Sequence, residues 1–199
     1  MRVGVFGGTF DPVHLGHLAA AEEAAHRLDL AEVLFVPVHR QPLKEQAPQV
    51  SDVDRLAMLR LAIAGNPRFA LDTLELERPA PSYTVETLRL LQQRGGSEVE
   101  LSFLLGVDAV NTLDRWREPA EVLRLARLVV MSRGKVVQPD WALLRAIVPA
   151  PEERVTLLAV PDIDISARDL RQRVAAGWPV RYQVPEPVHA YIEAHALYR

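Results

Sequence analysis

The chain contains no cysteine. Disulfides, thiolate metal sites and cysteine nucleophiles are therefore excluded. Lysine is scarce as well, occurring only at Lys44 and Lys135, and arginine carries most of the positive charge. No apolar run approaches the ~20 residues that span a bilayer. The opening residues Met1-Arg2-Val3-Gly4-Val5-Phe6 run into a strand-like segment, with no apolar leader or cleavage site, so a cytoplasmic protein is expected. A basic excess is also lacking: net charge is −3 and the pI is near 6.1. Proteins that bind nucleic-acid duplexes usually carry such an excess. A small phosphate ligand is still open, because it needs only a few local positive groups.

What is present fits one α/β domain covering all 199 residues, with a C-terminal helical part from about residue 162. Hydrophobic residues make up 49% of the chain and mean hydropathy is +0.01, as in water-soluble globular proteins. Strand-like runs at 2–6, 32–38, 69–74, 99–105, 128–132 and 155–160 alternate with helical patterns. The helices are expected at 15–28, 51–65, 82–94, 108–116, 140–147, 166–176 and 187–197, with a polar loop over 39–50. This alternation predicts a mostly parallel sheet with helices on both faces. Ligands of such sheets bind at the carboxyl ends of the strands, near the point where strand order reverses. Chemistry is therefore expected in residues 7–17, 106–108, 133–134 and 162–171.

The strongest signal lies in the first of these segments, Gly7-Gly8-Thr9-Phe10-Asp11-Pro12-Val13-His14-Leu15-Gly16-His17. Paired glycines let a backbone approach a ligand closely, and the start of the following helix favours an anion. His14 and His17, three residues apart, share a helix face and could donate hydrogen bonds to phosphate oxygens as charge develops. Gly16 between them leaves space for a ligand to pass. The segment has neither the Gly-Lys-Ser/Thr of a Walker loop nor the G-x-G-x-x-G dinucleotide fingerprint. A third ligand that would make the histidine pair a metal site is not evident. The second cluster is Ile165-Ser166-Ala167-Arg168-Asp169-Leu170-Arg171. Here Ser166 reads as an N-cap, and together with Arg171 as a phosphate contact. Trp116 reads as a stacking platform or a packing residue, Asp108 as a ribose or helix-start partner, and Thr84 as a cap or an anion contact. Lys44 and Arg133 are loop cations.

These segments resemble the nucleotidylyltransferase superfamily. G-G-T-F-D-P-x-H-x-G-H is similar to its first signature and I-S-x-x-x-L-R to its second. Ser82-Tyr83-Thr84-Val85-Glu86-Thr87-Leu88, Phe103-Leu104-Leu105-Gly106-Val107-Asp108, Arg115-Trp116 and Val184-Pro185…Tyr191-Ile192…Leu197-Tyr198 resemble the bacterial nicotinate mononucleotide adenylyltransferases. The resemblance implies a Rossmann-like fold and transfer of AMP from ATP to nicotinate mononucleotide in NAD biosynthesis, giving deamido-NAD and pyrophosphate. It implies Mg²⁺ held mainly through the ATP phosphates, with no dedicated protein ligand. By the same likeness Gly7, Gly8, Thr9 and Phe10 line the nucleotide site, and His14 and His17 contact the ATP phosphates. Ser166 and Arg171 hold the outer phosphates, while Gly106, Asp108 and Arg133 surround the adenosine. Thr84 and Trp116 fall where the family binds the nicotinate carboxylate and pyridine ring. Arg168 departs from the family threonine. Rival readings are another transferase of the superfamily, such as pantetheine-phosphate adenylyltransferase, and a non-catalytic nucleotide sensor. Whether the chain forms a homo-oligomer is not legible.

Overall fold

The structure, a computed structural model, describes residues 1–43 and 47–199. Lys44, one of the loop cations, lies outside the described residues. β1 (Arg2–Gly8) is apolar on both sides: Val3 and Val5 face one helical layer, Phe6 the other. Burial on both faces is what a parallel strand requires, and it explains the near-continuous apolar runs. The strand leads into α1 (Leu15–Arg27), whose buried face is Ala20, Ala21, Ala24 and Ala25. Side chains this small let the helix lie close to the sheet.

β2 (Glu32–Pro37) follows, then α2 (Asp52–Ile63), capped by Ser51, whose hydroxyl accepts from the Asp54 N–H at 3.1 Å. β3 is Phe69–Leu71 and α3 is Thr84–Gly95, which stops at Gly96 with φ 68°. β4 (Glu100–Gly106) runs into the short α4 (Val107–Val110). Then come α5 (Pro119–Leu125), β5 (Ala126–Arg133), α6 (Trp141–Ile147) and β6 (Val155–Val160). α7 (Ala167–Ala175) and α8 (Glu186–Ala194) close the chain.

The six strands form one sheet in the order β3-β2-β1-β4-β5-β6, every adjacent pair parallel. The chain steps outward from β1 to β3, returns to place β4 beside β1, and steps outward again. Order therefore reverses between β1 and β4, and the loops after these strands diverge and leave a crevice. One core lies on the α1, α2, α7 and α8 side and the other on the α3–α6 side. This is the Rossmann-like α/β class. Tyr191 of α8 ties the C-terminal part to α2, its hydroxyl donating to Asp54 at 3.0 Å.

Four expectations change. The helix expected over 108–116 divides into α4 and a single 3₁₀ turn at Leu113–Arg115. A short helix missing from the sequence reading, α5, begins with Pro119 in its first turn, where the absent N–H costs nothing. Its seven residues are too few for a helical period to stand out. The strand expected to reach residue 74 stops at Leu71, because the Asp72 side chain turns back to accept from the Leu74 N–H at 2.9 Å. Thr84 is the first residue of α3 rather than its cap; Tyr83 holds the cap position without a side-chain capping bond.

Candidate active site

His14 is the N-cap of α1, with extended backbone (φ −143°, ψ 169°), and His17 sits in the first turn. The His14 N–H donates to Nδ1 of His17 at 3.3 Å, and the two rings stack at 3.7 Å. An accepting Nδ1 places the proton of the neutral His17 ring on Nε2. His14 is only 3% exposed, and its Nδ1 carries no hydrogen bond among the described residues. Burial, with the nearby positive charge of Arg133, pushes its pKa down to about 4. His14 is therefore neutral near pH 7, a hydrogen-bonding group rather than a fixed cation. A Cβ at Gly16 would stand 3.1 Å from Nδ1 of His14, so the glycine also makes room for that ring.

Behind this turn the loop is braced from below. Phe10 has φ 49° and is 2% exposed, its ring packing on Phe6, Phe35 and His17. Its side chain is thus core, and its backbone is the part left to face the site. A Cβ on Gly8 would lie 2.8 Å from the Phe10 ring, so glycine there serves packing. The Thr9 carbonyl accepts from Nη1 of Arg55 at 2.7 Å. Arg55 is wholly buried and ion-paired with Asp52. Asp11, 2% exposed, accepts from the Tyr198 hydroxyl at 2.7 Å and from the Gln49 N–H at 2.8 Å, while its backbone carbonyl accepts from Arg171 at 2.6 Å.

Sequence reasoning quoted Asp11 and Tyr198 within its motifs without giving either a role, and it missed Arg55. Asp11 could have been found from its place inside the motif. Arg55 could not, because on α2 it reads like any solvated helix arginine.

Three further groups gather on the same side. Ser166 is the N-cap of α7, accepting from the Asp169 N–H at 3.1 Å, so its capping role stands and its O–H remains a donor. Arg171 projects from α7 onto the Asp11 carbonyl, and its buried Nε has no partner among the described residues. Arg133, at the end of β5, reaches Asp164 at 3.1 Å and the Ile165 carbonyl at 3.4 Å. Arg168 is exposed and lines a polar depression with Arg171, Arg199 and Tyr198.

At the crevice between β1 and β4 lies a cavity of about 560 Å³. Gly7, Thr84, Gly106, Asp108 and Trp116 all line it. Gly106 and Asp108 therefore share a wall with Thr84 and Trp116. Trp116 is half-buried and meets Phe103 edge-on at 6.0 Å, leaving an aromatic surface at the cavity. Thr84 opens α3, where the first turn has backbone N–H groups without helical partners. Arg117 lies over the Tyr83 ring at 4.9 Å and pairs with Glu86 at 2.8 Å. Glu75 also borders the cavity although sequence reasoning passed over it; burial pushes its carboxyl pKa up. The arrangement offers a flat apolar slot with a helix start on one side, and a cluster of imidazole and guanidinium groups on the other. Such a pair of subsites suits two nucleotides meeting at their phosphates.

Comparisons with known proteins show the family. The cytidylyltransferase-like family pattern matches residues 5–173. A protein of Roseiflexus sp. (strain RS-1), named probable nicotinate-nucleotide adenylyltransferase, is 50% identical over 99% of this chain and 98% of its own. One of the same name from Thermomicrobium roseum is 47% identical over 100% of this chain and 92% of its own. Among solved structures, the Plasmodium falciparum nicotinic acid mononucleotide adenylyltransferase in complex with NaAD superposes with a TM-score of 0.79 at 18% identity. That match covers 99% of this chain and 97% of the other, a likeness of fold. With sequence matches running end to end, the chain belongs to the cytidylyltransferase-like family, in its nicotinate-nucleotide adenylyltransferase branch.

Proposed function

We propose that this chain transfers AMP from ATP to nicotinate mononucleotide, forming nicotinate adenine dinucleotide and pyrophosphate in NAD biosynthesis. The observation that carries this reading is the cavity at the β1/β4 crevice, where Trp116 and the start of α3 share one wall system with Gly7, Gly106 and Asp108. The names of the relatives support the same acceptor. We treat residues 1–199 as one nucleotidyltransferase domain whose C-terminal helical part begins near residue 162.

In this reading an oxygen of the acceptor phosphate attacks the α-phosphorus of ATP. A new P–O bond forms, the bond to the bridging oxygen breaks, and pyrophosphate leaves. The attacking monoester is already anionic near neutral pH, so no general base and no covalent enzyme intermediate is needed. Catalysis is alignment and charge stabilisation. His17 donates from Nε2, and neutral His14 adds a second hydrogen-bonding edge. Arg171 has one Nη committed to the Asp11 carbonyl; its remaining N–H groups, with the Ser166 hydroxyl, receive phosphate oxygens. Gly7, Gly8, Thr9 and the Phe10 backbone border the nucleotide, and Gly106, Asp108 and Arg133 surround the sugar and base. Trp116 stacks on the pyridine ring, and the N–H groups beside Thr84 receive its carboxylate. Among the described residues no group of three or more His, Asp or Glu could cage a metal ion. A Mg²⁺ would ride on the phosphates and water, where it neutralises charge.

The test is pyrophosphate release from ATP by the purified chain with nicotinate mononucleotide, nicotinamide mononucleotide and phosphopantetheine. Nicotinate mononucleotide should be used best. Preference for phosphopantetheine would move the chain to another branch of the family. No release with any acceptor would leave a nucleotide-binding sensor.

A further inference from the structure

We infer that Glu75 is a specificity-determining residue of the acceptor cavity, with its Oε2 meeting the substituent on the pyridine ring. The inference rests on the acceptor assigned above. Glu75 is 5% exposed yet borders the cavity together with Thr84 and Trp116. Its Oε1 accepts from the Thr87 hydroxyl at 2.5 Å, which pins the carboxyl against the first turn of α3. Oε2 is buried and has no hydrogen bond among the described residues. A buried oxygen left without a donor is destabilising, so a carboxyl serving packing alone would be poorly placed here. A ligand group in the cavity would complete it.

The charged neighbours are specific. Arg78 donates to the Thr87 hydroxyl at 3.0 Å and pairs with Glu86, which also holds Arg117. Asp72 lies on the same turn, and His39, from the loop after β2, rests against the Arg78 carbonyl at 3.4 Å. Burial pushes the Glu75 carboxyl up; the Thr87 and Ser82 hydroxyls and Arg78 act against that, and Asp72 adds to it. Protonated, Oε2–H donates to the carboxylate of nicotinate. Ionised, the same oxygen repels that carboxylate and accepts from the amide of nicotinamide. Selectivity for nicotinate over nicotinamide mononucleotide should therefore fall as pH rises through the Glu75 titration. Both acceptors carry the same ribose phosphate, so its own titration cancels in the ratio.

The experiment is kcat/KM for both acceptors from about pH 5 to about pH 9, on the wild type and on Glu75→Gln. The wild-type ratio should fall on the order of tenfold, and the Gln variant should show a flat ratio. A flat wild-type ratio overturns the inference, and this arm needs no variant to fold. An unchanged pH dependence in Glu75→Gln overturns it as well, by assigning the effect to another group. A wild type that adenylylates neither pyridine nucleotide removes the acceptor assignment itself, and this inference with it.

Discussion

The hydroxyl of Tyr198, next to last in the chain, donates to the carboxylate of Asp11 in the first motif, 187 positions away, at 2.7 Å. Asp11 in turn holds Arg171 through its backbone carbonyl. Tyr198 thus braces the contact between the two signature motifs. Burial, and after it the Asp11 carboxylate, keep the phenol protonated far above its ordinary range, so the hydroxyl acts as a permanent donor. Tyr198→Phe should lower stability by about 1–2 kcal/mol, since the lost bond runs to a charged acceptor. It should also raise the KM for ATP more than that for the acceptor. Urea unfolding and steady-state kinetics check both, and a variant unchanged in each would mean Asp11 is held without Tyr198.

Arg171→Ala should weaken use of ATP more than use of the acceptor, because Arg171 is assigned to the leaving pyrophosphate. Arg171→Lys should rescue only in part, as an ammonium lacks the planar two-pronged fork of the guanidinium. Kinetics in both substrates decide this. An unchanged ATP response with a raised acceptor KM would reverse the assignment.

His17→Ala should fold normally and lose about 10²–10³ in kcat, the usual effect of removing one transition-state donor. Circular dichroism and turnover measured on the same preparation separate folding from chemistry. Near wild-type turnover would take His17 out of the mechanism.

His14 makes stability depend on pH. Its pKa is about 4 in the folded chain against 6.5 for the free side chain. Between those values the unfolded chain binds more protons, so stability rises with pH across that window and falls on acidification. The full effect is roughly 3 kcal/mol. His14→Gln should flatten this slope between about pH 6.5 and 4. Denaturant unfolding at a series of pH values measures it, and an unaltered slope would show that another group carries the dependence.

Trp116→Ala should reduce affinity for nicotinate and nicotinamide mononucleotides alike, by the ~1–3 kcal/mol that stacking on a ring is worth, a roughly fivefold to 150-fold loss. Binding measured by calorimetry tests it. An unaffected variant would leave Trp116 as packing against Phe103.

The sequence by itself determined the alternation of strands and helices, because each strand's apolar run and each helix's period is complete within a short window. It determined both signature motifs, whose glycines, histidines and arginine lie close together in the chain. It also determined that Trp116 and Thr84 merit attention. Only the tertiary structure decided which of these residues meet. Gly7, Thr84, Gly106 and Trp116 come from separate segments and share a cavity because strand order reverses between β1 and β4. Burial was equally illegible along the chain. Nothing local shows that the Phe10 ring belongs to the core, or that Gly16 also makes room for the His14 ring. Arg55 and Glu75 carry no signal in the sequence, yet one holds the Thr9 carbonyl from inside the protein and the other borders the cavity. The reason is physical. A charged side chain carries no local mark of whether it will be desolvated, since desolvation is set by whatever distant segments pack over it.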